Sequence, residues 1–272
     1  MRLGPLFIAA LILALPAEAL ELSGALKQGG LVLGQVAPGS RVWLDGAEIK
    51  VAGDGRFIFG FAREAGAKAV LSFASPDGVR EQRQLAIAPQ DYAIDRVDGL
   101  PPATVTIPPE EAARRQRESA LVQQARAPVS ELMAWADGFI LPVAGARISG
   151  VYGAQRILNG EPRWPHYGLD LAAPVGTPVT APAAGIVRLA ETDFLLEGGI
   201  VIIDHGFGVS STLMHLHSVA VTKGQSVRQG EVVATLGMSG RANGPHVDWR
   251  INWGDVRVDP RLALEMRPKA DP

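Results

Sequence analysis

Three short stretches carry the residues best suited to chemistry. "PHYGLD" holds His166 and Asp170 with Gly168 between them, "MHLHSV" holds His215 and His217, and "HVDW" holds His246 and Asp248. An H-x-x-x-D spacing lets an imidazole and a carboxylate converge on one cation from a loop entering a strand. Zinc accepts both donors, at about 2.0–2.2 Å. Taken alone, that spacing is more commonly a hydrogen-bonded surface His–Asp pair. Residues two apart fall on one face of a strand. His215 and His217 then form one such pair, and His246 and Asp248 another. Three clusters within one β-rich region are far less expected by chance than any one of them.

The elements that must position these residues are strands. In "GPHVDWRINW", Val247, Trp249, Ile251 and Trp253 fall on one face, and His246, Asp248, Arg250 and Asn252 on the other. One face is a core layer and the other is polar. "GTPVTAPAAGIVRLAE", "GGIVIIDHG", "VSSTLMHLHSV" and "QSVRQGEVVATLG" read as further strands with Gly at most turns. His205, in "IDHGFG", fits a structural role at a turn. Upstream, "GLVLGQV", "RVWLDG", "RFIFGF" and "AVLSFA" are short and apolar or alternating, with Asp-Gly pairs at 45–46, 54–55 and 77–78. Asp-Gly is a strong hairpin signal. This part has no His, so binding or spacing is its expected role. A proline-rich linker follows from Asp98 to Pro109, then a helix from Glu110 to Ala127 stopped by Pro128. Glu110–Arg114 and Glu111–Arg115 are spaced as i,i+4 pairs. The apolar stripe is thin, which predicts a solvated connecting helix whose Arg114, Arg115 and Arg117 face water.

The chain has 272 residues, no Cys, 47% hydrophobic residues and a net charge of −2. Length allows about two domains. The charge balance points away from nucleic acid and from a strongly cationic membrane binder. Without Cys there are no disulfides. At the start, Arg2, the ten-residue apolar run Leu6–Leu15, Pro16 and the small residues Ala17–Ala19 form a secretory leader pattern. The run is short of the roughly 20 residues a bilayer span needs, and no later run could span either. The expectation is an exported chain maturing near Leu20, in the periplasm or cell envelope.

Four stretches in order, "PHYGLDLAAPVGTPVTAPAAGIV", "IVIIDHGFGVSSTLMHLHSV", "VTKGQSVRQGEVVATLGMSGRANG" and "GPHVDWRINW", resemble the lysostaphin/LytM-type zinc metallopeptidases, which cut peptide bonds in bacterial peptidoglycan. The resemblance covers about Phe139 to Ala263, roughly half of the chain. It implies zinc held by His166 and Asp170 of the HxxxD motif and by the second residue of a terminal HxH motif. It also implies His246 as general base, and His215 as the residue that orients the water or stabilises the oxyanion. The terminal motif here is His246-Val247-Asp248, so Asp248 stands where the family usually has His. A carboxylate oxygen and an imidazole Nδ1 both lie three bonds from Cα, and Asp is an ordinary zinc ligand. Two carboxylates would make a weaker Lewis acid and tilt the site towards harder metals such as Mn²⁺.

The expected architecture is mostly β. It comprises a leader (1–19), a small N-terminal β-sandwich-like domain (20–97), a linker and connecting helix (98–138), and a C-terminal LytM-type domain of β-sheet or barrel-like form (139–272). The turn-rich stretch Tyr152–Tyr167 would wall a substrate groove. Arg156, Arg163, Trp164 and Tyr167 are its contacts, with His217 and Arg250 beside them; Trp164 could equally cap the core, and Arg250 could equally pair with Asp248. The expected function is an exported endopeptidase of peptidoglycan cross-links, with the N-terminal domain available to a cell-wall protein partner. The alternative is a catalytically weak or inactive relative that activates cell-wall amidases, a reading favoured only by Asp248. A phosphotransfer or lipoyl-like barrel is a third reading, resting on Lys223 alone.

Overall fold

A computed structural model describes residues 20–99 and 108–266. The expected leader over residues 1–19 and the proline-rich residues 100–107 lie outside the described residues.

The first seven strands make two sheets. β1 (Glu21–Gly24), β2 (Leu31–Gln35) and β5 (Arg56–Gly60) form one. β3 (Arg41–Leu44), β4 (Ala47–Ile49), β6 (Lys68–Ala74) and β7 (Arg80–Ala86) form the other, in the order β4-β3-β6-β7. Asp45 and Gly46 join β3 to β4 with φ of 49° and 84°. Positive φ at both central residues is the twist-matched two-residue hairpin that Asp-Gly favours. Val32, Val42, Phe57, Phe59, Leu71 and Leu85 fill the space between the sheets, so this part is a sandwich. β8 (Ile94–Val97) then leaves it and pairs in parallel with β10 (Gln155–Leu158).

Helix α1 (Ala112–Arg126) is docked, which corrects the expectation of a solvated helix. Glu118 and Ala125 are buried. The Glu118 carboxylate accepts from Arg114 Nε at 2.8 Å and from the Leu195 backbone N–H at 3.0 and 3.1 Å. Arg115 pairs with Glu197 at 2.8 Å, and Arg126 donates to Thr212 Oγ1 at 2.9 Å. The i,i+4 partners expected for Arg114 and Arg115 are therefore replaced by Glu118 and Glu197. A thin apolar stripe did not reveal this because only Ala125 and Val122 make apolar contact, with Leu189, Phe194, Ile200, Ile202 and Met214, and the remaining docking contacts are polar.

The remaining strands are β9 (Arg147–Gly150), β11 (Glu161–Pro162), β12 (Leu169–Ala172), β13 (Pro178–Thr180), β14 (Gly185–Phe194), β15 (Gly198–Gly206), β16 (Val209–Val219), β17 (Ser226–Val227), β18 (Val232–Leu236), β19 (Val247–Trp253) and β20 (Val256–Val258). Their main sheet runs β17-β14-β15-β16-β19-β12-β9, with β18 carrying β13 on β16 and β20 on β19. It is an open sheet; no closed barrel forms. Its core face holds Leu169, Leu171, Leu213, Val247, Trp249 and Ile251, none more than 0% exposed. Leu31, Ala52 and Ile58 from the sandwich belong to the same apolar cluster. The seam between the two parts is also polar and aromatic. Arg63 Nε donates to the Gly153 carbonyl at 2.8 Å, Arg63 stacks on Tyr92, and Tyr92, Tyr152 and Tyr167 meet edge to face.

Candidate metal centre and active site

Strands β12 and β19 run antiparallel with Leu169 opposite Trp249, Asp170 opposite Asp248 and Leu171 opposite Val247. The alternation read from the sequence thus sends the apolar residues of both strands into the core and both carboxylates to the other face. Like charges directly opposite on adjacent strands repel, so a positive group must sit between them. His166 enters from the loop before β12. Its Nε2 lies 3.0 Å from Asp170 Oδ1 and 3.4 Å from Asp248 Oδ2. One ligand atom from each of His166, Asp170 and Asp248 lies within 4.8 Å of the others, and all three residues are buried. Asp170 Oδ1 is buried with His166 Nε2 at 3.0 Å and His246 Nε2 at 3.8 Å, a gathering of carboxylate and imidazole donors that suits a cation.

Electrostatics agree with that geometry. His166 Nδ1 faces the Val151 carbonyl at 3.2 Å. A carbonyl can only accept, so Nδ1–H donates to it and Nε2 points at the two carboxylates. Burial opposes charging His166, but Asp170 and Asp248 outweigh it and raise its pKa to about 9. Asp248 also takes Arg250, with Nη2 at 2.6 Å and Nε at 3.1 Å. Burial pushes the Asp248 carboxyl up, yet Arg250 and His166 hold it well below the usual carboxylate range. Backbone fits closely around both acids. A Cβ at Gly168 would lie 1.8 Å from Asp248 Oδ1, and one at Gly150 would lie 2.3 Å from Asp170 Oδ2.

His246 Nε2 lies 3.8 Å from Asp170 Oδ1, and its Nδ1 faces the Gly244 carbonyl at 2.8 Å. The His215 ring packs against it, with centroids 4.8 Å apart. His215 Nδ1 in turn faces the Ser239 carbonyl at 2.9 Å. All three imidazoles therefore bind a backbone carbonyl through Nδ1–H, and Nε2 of His166 and His246 both lie near Asp170 Oδ1, at 3.0 and 3.8 Å. His215 has φ of 64°, an unusual conformation for a non-glycine residue. It lies at a bulge, where the β15–β16 register shifts between Gly199 and Val201. Its backbone N–H donates to the Glu197 carbonyl at 2.8 Å. Burial lowers its pKa.

Residues 164–260 match the model of peptidase family M23. They form a peptidase M23 domain. This is the LytM/lysostaphin type that the motifs resemble. The chain is 31% identical over 124 residues to the peptidoglycan DD-endopeptidase ShyC of Vibrio cholerae, an alignment covering 45% of this chain and 28% of that protein. It is 36% identical over 127 residues to the DD-carboxypeptidase/endopeptidase Mpg of Neisseria meningitidis, covering 44% of this chain and 28% of that one. The chain thus spans less than a third of the length of these curated relatives. A crystal structure from Pseudomonas aeruginosa, provisionally described as a peptidase M23, superposes with a TM-score of 0.68 at 28% identity. That likeness covers 88% of this chain and 94% of the other, so it includes the sandwich.

The M23 domain distributes the other expected site residues unevenly. Arg156 and Arg163 are exposed on the β10–β11 hairpin, with Arg156 Nη2 3.8 Å from Asp170 Oδ2. Trp164, at 80% exposure, caps no core. Tyr167 turns into the seam, stacked under Arg257 and against Tyr152. Arg250 is committed to Asp248, the second of the two partners expected for it. The left-handed His215 breaks the alternation of β16, so His217 does not share its setting and is exposed. His205 is structural: it is fully buried between the Ala184 carbonyl and Ser211, and burial lowers its pKa to about 4. Sequence reasoning missed Glu197, whose carbonyl holds the His215 backbone, and the carbonyls of Val151, Ser239 and Gly244. No residue-type signal marks a carbonyl.

Proposed function

We propose that this chain is an exported zinc metalloendopeptidase that cleaves peptide cross-links of peptidoglycan. The observation that carries the reading is the buried convergence of His166, Asp170 and Asp248 inside an M23 domain, with His246 Nε2 3.8 Å from Asp170 Oδ1 and the His215 ring packed against His246. The names of the matched relatives supply the substrate class. The donor set suits zinc: one imidazole and two carboxylates, all buried. Zinc held by these three residues would supply a Lewis acid for the scissile carbonyl and the attacking water.

The rest is the work of the chain's own residues. With Nδ1–H bound to Gly244, the neutral form of His246 presents Nε2 as the acceptor a general base needs. It takes a proton from water and hands it to the leaving amine. His215 also presents an unprotonated Nε2, which can accept from that water but cannot donate to an oxyanion. Of its two expected roles, orienting the water is the one we assign. Arg250 offsets one of the two carboxylate charges, so the site is less anionic than Asp170 and Asp248 alone would make it. Arg156, Arg163 and Trp164 line the approach for the peptide. We assign the activity to residues 139–272, the leader to residues 1–19, and an accessory role to residues 20–97. The regulator reading is not favoured, since the base and the three-residue cluster are all present and the matched relatives carry endopeptidase names.

The test is incubation of the mature protein with murein sacculi, with and without zinc and a chelator. Zinc-dependent release of un-cross-linked muropeptides, seen by mass spectrometry, is expected. Intact sacculi beside a fully zinc-loaded protein would sink the reading.

A further inference from the structure

The outer face of the second sandwich sheet carries a pocket that the proposed peptidase reaction does not use. Val42, Ile49, Leu71 and Leu85 point into the sandwich core, so alternation sends Trp43, Ser72 and Gln82 to the opposite face. The strand register sets Trp43 opposite Ser72 and Ser72 opposite Gln82, in one row across β3, β6 and β7. The next row is Arg41, Ala74 and Arg80. Small side chains at Ser72 and Ala74 thus lie between the Trp43 indole and the long side chains of Gln82 and Arg80. The pocket that results has a volume of about 430 Å³, and Trp43, Ser72, Arg80, Glu81 and Gln82 are in its lining. The indole is braced by residues outside that lining: the Arg41 guanidinium lies 4.9 Å from its ring centroid, and Glu48 holds Arg41 through two hydrogen bonds of 2.8 Å. Among the described residues, the side chains of Ser72, Arg80, Glu81 and Gln82 make no hydrogen bond or ion pair, so their donors and acceptors are available.

A pocket of this volume is in the small-ligand range of roughly 300–1,000 Å³. Its chemistry is one aromatic wall, one hydroxyl, one amide, one cation and one anion. Arg80 and Glu81 offset each other, so an ionic ligand meets no net charge to attract it. A protein partner needs about 800 Å² on each side with a charge-poor centre, whereas Trp43 is surrounded on this face by Arg41, Glu48, Arg80 and Gln82. A sugar ring suits both kinds of wall. Its C–H groups pack on the negative face of an indole, and its hydroxyls donate and accept as Ser72, Gln82, Arg80 and Glu81 require. We propose that this pocket is a saccharide site in which Trp43 stacks on a pyranose ring and Ser72 and Gln82 hydrogen-bond its polar groups, and that the ligand is the N-acetylated glycan strand of peptidoglycan. The choice of that saccharide rests on the proposed peptidase activity; the pocket itself does not. A glycan held there would keep the M23 domain at its polymeric substrate.

The experiment uses the zinc-loaded full chain and three probes: glycan strands stripped of peptide, an N-acetylglucosamine oligomer, and free stem peptides. Binding is followed by calorimetry. Both saccharides are expected to bind and the peptides are not. Trp43→Ala should weaken saccharide binding by roughly tenfold or more, the scale of one aromatic stack, and Trp43→Phe should retain part of it. Gln82→Ala changes an exposed residue that the fold does not need, and it should weaken binding several-fold through one lost hydrogen bond. No saccharide binding, or binding that Trp43→Ala and Gln82→Ala leave unchanged, would overturn the proposal. So would Trp43-dependent binding of the stem peptides without any response to glycan, which would make this a peptide site. Sacculus cleavage by the same preparation separates the two readings. Cleavage without saccharide binding leaves the peptidase standing and sinks the saccharide site, and Trp43-dependent glycan binding beside intact sacculi does the reverse.

Discussion

At the scale of single residues, Asp248 decides the character of the site. It faces Asp170 across two strands, and His166 and Arg250 both reach it. Asp248→Ala is expected to abolish zinc retention and cleavage together, because it removes a ligand and leaves the half-buried Arg250 without its partner. Full zinc and full activity in that variant would reduce Asp248 to an ion-pair partner of Arg250. Asp248→His restores an imidazole but strands the same guanidinium. It should therefore hold zinc less firmly than a site designed around His, which chelator competition would reveal. His246→Ala is expected to keep the metal and lose turnover by roughly 10²–10⁴-fold, the usual contribution of a general base. The pH dependence of zinc binding follows from His166. Its pKa in the metal-free fold is about 9, above the ordinary 6.5. A raised pKa means the protonated His166–carboxylate contact stabilises the metal-free protein fully below about 6.5 and fades as pH rises towards 9. Zinc must displace that proton, so its apparent affinity should climb about tenfold per pH unit from pH 7 towards 9. Chelator titrations at several pH values check this; a flat profile would contradict it.

At the scale of elements, the site is the polar face of one strand pair whose other face is core. Trp249 is fully buried opposite Leu169 and Leu213. Trp249→Ala should cost about 3–5 kcal/mol, the range for a large aromatic lost from a packed core, measurable by urea unfolding. Gly168→Ala tests the close approach behind the ligands. A Cβ there meets Asp248 Oδ1 at 1.8 Å, so zinc affinity should drop while the fold survives. An unchanged zinc affinity would show that the loop yields without moving the carboxylate. Helix α1 belongs to this scale too, since Arg115 grips Glu197, whose carbonyl holds the strained His215 backbone.

At the scale of the whole molecule, the two halves are joined more closely than a proline-rich linker suggests. Leu31, Ala52 and Ile58 pack into the core of the M23 domain, and β8 adds a strand to the hairpin that carries Arg156 and Arg163. A chain lacking residues 20–99 is expected to keep binding zinc, because the side chains of His166, Asp170 and Asp248 take their hydrogen bonds and ion pairs from residues 151–250. It should nevertheless melt at a lower temperature, since each buried aliphatic side chain withdrawn from the core removes about 1.5–3 kcal/mol. Its KM should rise, because β8 and Arg63 no longer brace the hairpin. Calorimetric melting and cleavage kinetics check both; an unchanged melting temperature would show that the halves are energetically separate.

The sequence by itself determined whatever depends on local periodicity and chemical type. The alternation in "HVDWRINW" separates Trp249 from Asp248 whatever the strand pairs with, because the side-chain period of a strand is two. Asp45-Gly46 makes its hairpin from backbone preference alone. The H-x-x-x-D and H-x-D spacings named the three residues that do meet in space. Other features needed the tertiary structure because they depend on what crosses from distant elements. The docking of α1 rests on Glu118 and Arg115 finding the β14–β15 turn, about 80 residues away in the chain. Whether Arg250 would face Asp248 or a substrate was open until both were set on one buried sheet face. His215 and His217 look equivalent at a spacing of two, and a bulge with one left-handed residue separates them. The carbonyls that orient all three site imidazoles carry no side-chain signal; only the folded path of the chain brings Val151, Ser239 and Gly244 to them.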